Sequence, residues 1–198
     1  MESGDLMNLY AIRHGETDWN KNFVLQGLTD IPLNENGIKQ AQKASLQLKD
    51  IVFDYVFVSP LTRTKQTLNE LDLTCTNVIE TKEIIERDFG EFEGTQANVR
   101  EYWNYELNLS LHNVEPIKAL FRRTYIFLEK IIKNYGNTGS NIILVTHNGV
   151  QMAINFLLSN DFPLNGDILS LRVPPCTIKK YANPVISEER KRFLEYGK

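Results

Sequence analysis

A chain of 198 residues, 42% hydrophobic and 24% charged, has the make-up of a folded globular protein and not of a disordered one. Its formal net charge of −3 and pI near 5.7 argue against nucleic acid or an anionic membrane surface as a partner, although they leave room for a local cationic pocket. No run is long and apolar enough to span a bilayer, and the acidic opening Met1-Glu2-Ser3-Gly4-Asp5 is wrong for a signal peptide, so a cytoplasmic location is expected.

Cys75 and Cys176 lie far apart without metal-type spacing and read as reduced, structural thiols. Thr81 and Ala182 stand six residues after them, so the arginine of a cysteine-phosphatase loop is missing. No G-x-x-x-x-G-K-[ST] loop occurs either. Without repeat, linker or low-complexity tract, the chain is expected to be one domain over residues 1–198.

Along the chain, Met7 to Ile12 is an apolar first strand running into Arg13-His14. Asn34 offers an N-cap to a helix whose Ile38, Ala41, Ser45 and Leu48 share a face. Asp54 to Ser59 is a second strand, and Pro60 suits the first turn of the helix behind it. A short strand is expected around Asn77 to Glu80, and Gly90 to Glu115 is irregular. After Pro116, residues Ile117, Leu120, Phe121, Thr124, Leu128, Ile131, Ile132 and Tyr135 repeat at helical spacing until Gly136 and Gly139. Asn141 to Thr146 is the most apolar strand, a helix runs from about Val150 to Leu158, and Cys176 to Tyr181 is a last strand candidate. Strands separated by helices predict an α/β three-layer sandwich, a mainly parallel sheet with helices on both faces.

Reactive groups in such sheets gather beyond the carboxyl ends of the strands. The three longest strands end at Arg13-His14, at Ser59-Pro60-Leu61-Thr62-Arg63 and at His147-Asn148-Gly149. Two of the three histidines and two arginines therefore converge on one edge. Arginine's planar fork matches phosphate oxygens, and a neutral imidazole is a nucleophile near pH 7. No metal-type cluster accompanies them, so the chemistry is expected to be metal-free and cofactor-free, with fixed cations in the part that Mg²⁺ plays elsewhere. The leaving oxygen needs a general acid. Glu86, Asp88 and Glu91 are all available in the glycine-punctuated stretch after Ile84-Ile85, and spacing does not choose among them.

These residues carry a family resemblance. Arg13-His14-Gly15-Glu16-Thr17 with Trp19-Asn20 resembles the signature of the histidine phosphatase superfamily, in the branch of cofactor-dependent phosphoglycerate mutases and their phosphatase relatives. Gln26-Gly27, Pro32-Leu33, Ser59-Pro60-Leu61, Arg63-Thr64, Gln66-Thr67, Glu86, Phe89-Gly90, Glu93-Gly94 and Thr146-His147 follow in that family's order. The resemblance implies that His14 takes the phosphoryl group, that Arg13, Arg63 and His147 hold its oxygens, and that Glu86 protonates the leaving group and later deprotonates water. It further implies phosphate-side contacts from Asn20, Gln26 and the Gly27 backbone, and a packing role for Trp19. One departure is Asn148, where the family usually has glycine; asparagine tolerates a left-handed backbone better than most residues.

The resemblance leaves hydrolysis, phosphoglycerate mutation and catalytically silent protein binding open. The true mutases carry a long, cationic insertion over the site. The candidate cover here, Thr95 to Lys118 within a segment of about 90–118, is short: it sets Arg100 and Lys118 against Glu101, Glu106 and Glu115. Arg122 and Arg123 keep the mutase alternative open, and Tyr102, Trp103 and Tyr105 hint at a partly apolar substrate. The favoured expectation is a metal-independent phosphatase acting on a small phosphorylated metabolite.

Overall fold

The computed structural model describes residues 6–96, 103, 112–159 and 167–196. Five strands form one sheet: β1 (Asn8–Arg13), β2 (Val52–Val58), β3 (Thr74–Glu80), β4 (Asn141–Thr146) and β5 (Ile178–Ala182), in the order β3-β2-β4-β1-β5. The first four run parallel, and β5 lies antiparallel against β1. Alternate residues of β1 and β4 serve opposite faces. Leu9, Ala11, Ile142 and Leu144 join one core, while Tyr10, Ile12, Ile143 and Val145 join the other. Burial on both faces is why these strands read as continuous apolar runs.

Helices cover both faces, so the architecture is the α/β three-layer sandwich with a mainly parallel sheet. α1 is the single turn Asp18–Lys21. α2 (Glu35–Ser45) is capped by Asn34, whose side chain accepts from the Gly37 N–H at 2.8 Å; with α3 (Thr62–Leu71) it packs over the Tyr10–Ile12 face. α3 starts later than Pro60 implies: Leu61 is its N-cap, and the Thr62 N–H and hydroxyl both donate to the Asp30 carboxylate at 2.7 Å. A carboxylate at that end also complements the helix dipole.

α4 (Ile117–Tyr135) buries Ile117, Leu120, Phe121, Thr124, Leu128 and Ile131 at the anticipated spacing, with Gly136 as its C-cap. α5 begins at Asn148 and runs to Leu158, two residues earlier than the apolar pattern predicts, and is buried from Asn148 through Leu157. Its polar members are only partly satisfied: Gln151 Nε2 donates to Ala11 O and Thr177 O, and Asn155 Nδ2 to Leu171 O, while Gln151 Oε1 is buried without a hydrogen-bond partner among the described residues. β3 is three residues longer than expected, and β5 starts at Ile178 and not at Cys176. A final helix, α6 (Glu188–Tyr196), has no counterpart in the sequence reading; its Leu194 joins the core of the α4 and α5 face. Among the described residues, no helix is long and apolar enough to cross a membrane.

Candidate active site

The parallel register brings the two histidines level. Arg13 pairs with Thr146 across β1 and β4, and the His14 N–H donates to Thr146 O at 2.9 Å, so both chains leave the sheet side by side. The imidazoles of His14 and His147 meet edge to face, centroids 5.2 Å apart. Arg63 arrives from the first turn of α3, fully buried; its Nη2 donates to Gly27 O at 2.8 Å, its Nη1 to Thr29 O at 3.0 Å and its Nε to His147 Nδ1 at 3.3 Å. Arg13 Nη1 donates to Val173 O at 2.7 Å. Four of the anticipated residues therefore gather at the carboxyl edge of the sheet, with His147 in contact with both His14 and Arg63.

Hydrogen bonding sets the tautomers. His14 Nδ1 lies 2.7 Å from Gly15 O, and a carbonyl only accepts, so Nδ1 carries the proton and Nε2 keeps its lone pair. His147 Nδ1 accepts from Arg63, which leaves its Nε2–H to donate to Ser59 Oγ at 2.7 Å. Both rings are buried, and burial first, then the charge of Arg63, holds each well below the ordinary histidine pKa. Both are neutral at pH 7. Burial also brings Arg13 down to about 10, which leaves it charged.

Among Glu86, Asp88 and Glu91 the structure singles out Glu86 by position. It is buried, while Asp88 is half-buried and Glu91 exposed. Glu86 Oε1 accepts from the Arg87 N–H at 2.9 Å, and the Gly149 N–H reaches both its oxygens at 3.0 and 3.2 Å. A Cβ on residue 149 would stand 2.4 Å from Glu86 Oε1, so this approach requires glycine. Burial pushes the Glu86 carboxyl above its ordinary range, opposed by those two N–H groups and by the charges of Arg63 and Arg13. Behind it, Thr146 Oγ1 donates to Ile84 O at 2.7 Å, tying the Glu86 segment to β4.

Gln26 is buried, and its Oε1 accepts from Thr17 Oγ1 at 2.9 Å. Its Nε2 and Arg13 Nε are buried donors without a hydrogen-bond partner among the described residues. Leaving such a donor unmatched costs about 1–3 kcal/mol, so both fit a site built to receive an anionic oxygen. Asn20 Oδ1 accepts from the Thr17 N–H at 3.3 Å in the capping box of α1. The Gly27 carbonyl is engaged by Arg63. Trp19 is half-buried, its ring facing Gly94.

Asn148 does not take the left-handed conformation that its loop position invites. It opens α5, with Oδ1 accepting from the Val173 N–H at 3.4 Å and Nδ2 donating to Met152 Sδ at 3.3 Å. Of the cover, Arg100, Glu101, Tyr102, Tyr105 and Glu106 lie outside the described residues. Trp103 is buried, edge to face with Phe89 at 5.8 Å and with the Arg87 guanidinium 5.0 Å from its ring.

Several participants escape the sequence reading. Thr67 Oγ1 accepts from the Gly15 N–H at 3.0 Å and Ser59 Oγ faces His147, so α3 and the end of β2 brace both histidine turns. Glu93 accepts from the N–H groups of Leu28, Thr29 and Phe89, shaping the turn whose carbonyls hold Arg63. Their signal in the sequence is their place in the ordered motif series; no chemistry of their own marks them.

A mainly parallel sheet whose carboxyl edge gathers two imidazoles, two guanidiniums and a buried carboxyl has the make-up of a site for an anionic group. The sequence profile of the Histidine phosphatase superfamily (branch 1) matches residues 9–180, and the chain belongs to that superfamily. It is 33% identical over 190 residues to a protein of Bacillus subtilis (strain 168) named uncharacterized phosphatase PhoE, covering 94% of this chain and 92% of that one. It is 37% identical over 205 residues to the 2,3-bisphosphoglycerate-dependent phosphoglycerate mutase of Beijerinckia indica subsp. indica, covering 96% and 98%. In three dimensions it matches a phosphoglycerate mutase from Bacillus anthracis str. Sterne with a TM-score of 0.75, 21% identity and 98% coverage of both chains, a likeness of fold.

Proposed function

We propose that the protein is a metal-independent phosphatase that hydrolyses a small phosphate monoester of the cytoplasm through a phosphohistidine on His14. The observation that carries this reading is the His14 ring, held neutral with its lone pair on Nε2 among Arg13, Arg63 and His147, beside a buried Glu86 carboxyl. The Nε2 lone pair attacks phosphorus as the P–O bond to the leaving group breaks. Glu86 gives its proton to the departing oxygen. The guanidiniums and the orphan donors of Arg13 and Gln26 balance charge on the equatorial oxygens. In the second half, Glu86 as carboxylate takes a proton from water, the water oxygen bonds phosphorus, and the P–N bond returns its electrons to Nε2. Inorganic phosphate leaves with both residues restored.

Hydrolysis is favoured over mutation by the state of the cations beyond the pocket. Arg123, a candidate for gripping a second anionic group, is spent on Glu115 and on two backbone carbonyls, and Arg122 is exposed. The relative named as a phosphatase supports the same reading. The 37% identity to a mutase is the specific support for the second reading, transfer between phosphoglycerates.

One experiment separates them. The enzyme is incubated in EDTA with a panel of phosphomonoesters and, separately, with 3-phosphoglycerate plus 2,3-bisphosphoglycerate. Release of inorganic phosphate, with an acid-labile phosphoenzyme that is absent in His14→Ala, is the expected result. Conversion of 3- to 2-phosphoglycerate faster than phosphate release overturns hydrolysis in favour of the mutase. A folded His14→Ala variant at parental speed removes the phosphohistidine altogether.

A further inference from the structure

Behind the Glu86 backbone lies a latch, the shielded ion pair of Arg123 with Glu115. Arg123, on α4, grips Glu115 with both ends of its fork, Nε to Oε1 at 2.7 Å and Nη2 to Oε2 at 3.1 Å, both side chains largely shielded. The same guanidinium donates Nη1 to Glu83 O at 3.0 Å and Nη2 to Glu86 O at 3.1 Å. Glu115 adds backbone contacts of its own: its N–H donates to Asp88 O at 2.9 Å, and its carbonyl accepts Arg87 Nε at 2.7 Å. The pair therefore touches Glu83, Glu86, Arg87 and Asp88, and the Glu86 backbone directly. Glu115 stands two residues ahead of Ile117, so the latch joins the approach to α4, α4 itself and the Glu86 turn at one point.

We propose that Glu115 and Arg123 are positioning residues for Glu86, holding its backbone so that the carboxyl meets the leaving oxygen. The latch touches no reacting atom. Its geometry is that of a bidentate, partly desolvated ion pair, the kind whose loss is felt because each partner leaves a shielded charge behind. The role rests on Glu86 being the general acid, as proposed above.

The test exploits how much help a leaving group needs. An acidic nitrophenol departs without a proton, whereas an alkoxide does not, so weakened general acid catalysis falls selectively on the alkyl ester. The ratio kcat/KM, which reports the steps through P–O cleavage, is measured for p-nitrophenyl phosphate and β-glycerophosphate with Glu115→Gln, Arg123→Lys and, as the benchmark, Glu86→Gln. Folding is verified by circular dichroism and thermal melting. Expected is a loss of about tenfold or more on β-glycerophosphate with less than about threefold on the aryl ester, in the direction of the benchmark. Equal losses on both esters, or none, while Glu86→Gln discriminates, overturn the positioning role and leave the acid assignment intact. If Glu86→Gln itself fails to discriminate, the acid assignment falls and takes the latch with it. Should Arg123→Lys not fold, the near-isosteric Glu115→Gln decides alone.

Discussion

In the proposed mechanism the imidazole proton of His14 sits on the nitrogen that does not react. Gly15 O fixes it on His14 Nδ1, and the reactive nitrogen is the remaining one. The role proposed for Glu86 requires a proton on its carboxyl at the same moment, and burial moves the two groups oppositely, imidazole down and carboxyl up. From ordinary values of about 6.5 and 4.3 the two approach or cross. Activity is therefore expected to follow a bell in pH with a mildly acidic optimum. The acid limb is the protonation of histidine, and the alkaline limb the loss of the Glu86 proton. Profiles of kcat/KM for the parent and Glu86→Gln check this: the variant should be slow and lack the alkaline limb. A parent rate climbing steadily above pH 8 contradicts the assignment.

Among the elements, one close contact at the site is α2 against the His14 turn. A Cβ on Gly37 would stand 2.1 Å from Glu16 O, and one on Gly15 would stand 2.5 Å from Gly37 O, so two backbones touch with no side chain between. Alanine inside a helix usually gains up to about 1 kcal/mol over glycine. Here the collision outweighs that gain. Gly37→Ala is expected to lower Tm and to cut kcat/KM by about tenfold or more through a displaced His14 turn, since sub-ångström placement governs such steps. Thermal melting and steady-state kinetics on one preparation check both effects. A rise in Tm with unchanged kinetics would show that the turn gives way without harm.

That contact also illustrates what a linear reading misses. Arg13, His14, Arg63 and His147 are legible because each follows closely on a strand-forming run whose carboxyl end marks the crevice. Spacing does not separate Glu86 from Asp88 and Glu91, and only the family resemblance picks it out, because the Gly149 N–H that meets its carboxyl lies 63 positions away. Asn148 looks like a loop residue, yet α5 begins there and its side chain engages Val173 and Met152. Glu188–Tyr196 carries too few apolar residues for its pattern to stand out, and tertiary contact through Leu194 anchors it.

For the whole molecule, two buried neutral imidazoles make acid a threat. His14 and His147 have folded pKa values below the unfolded value of about 6.5, so on acidification the unfolded chain binds protons first, and stability is lost as pH falls through that value. The slope is about 1.4 kcal/mol per pH unit for each such group. Glu86 acts oppositely: raised in the fold, it favours the native state in acid and loses that contribution as pH rises through its folded value. One carboxyl against two imidazoles leaves a net acid sensitivity. Urea midpoints are expected to fall from pH 7.5 to pH 5.5, and to fall less in His147→Gln. A midpoint indifferent to pH over that range refutes the account.

The His14 amide is itself a rung of the β1–β4 ladder, through Thr146 O. The His14 turn is thereby tied to β1 and to the central strand β4, and it shares the rigidity of their ladder. Freeing the His14 imidazole from its place therefore requires parting the two strands that carry it, an opening on the scale of the sheet and not of a single loop.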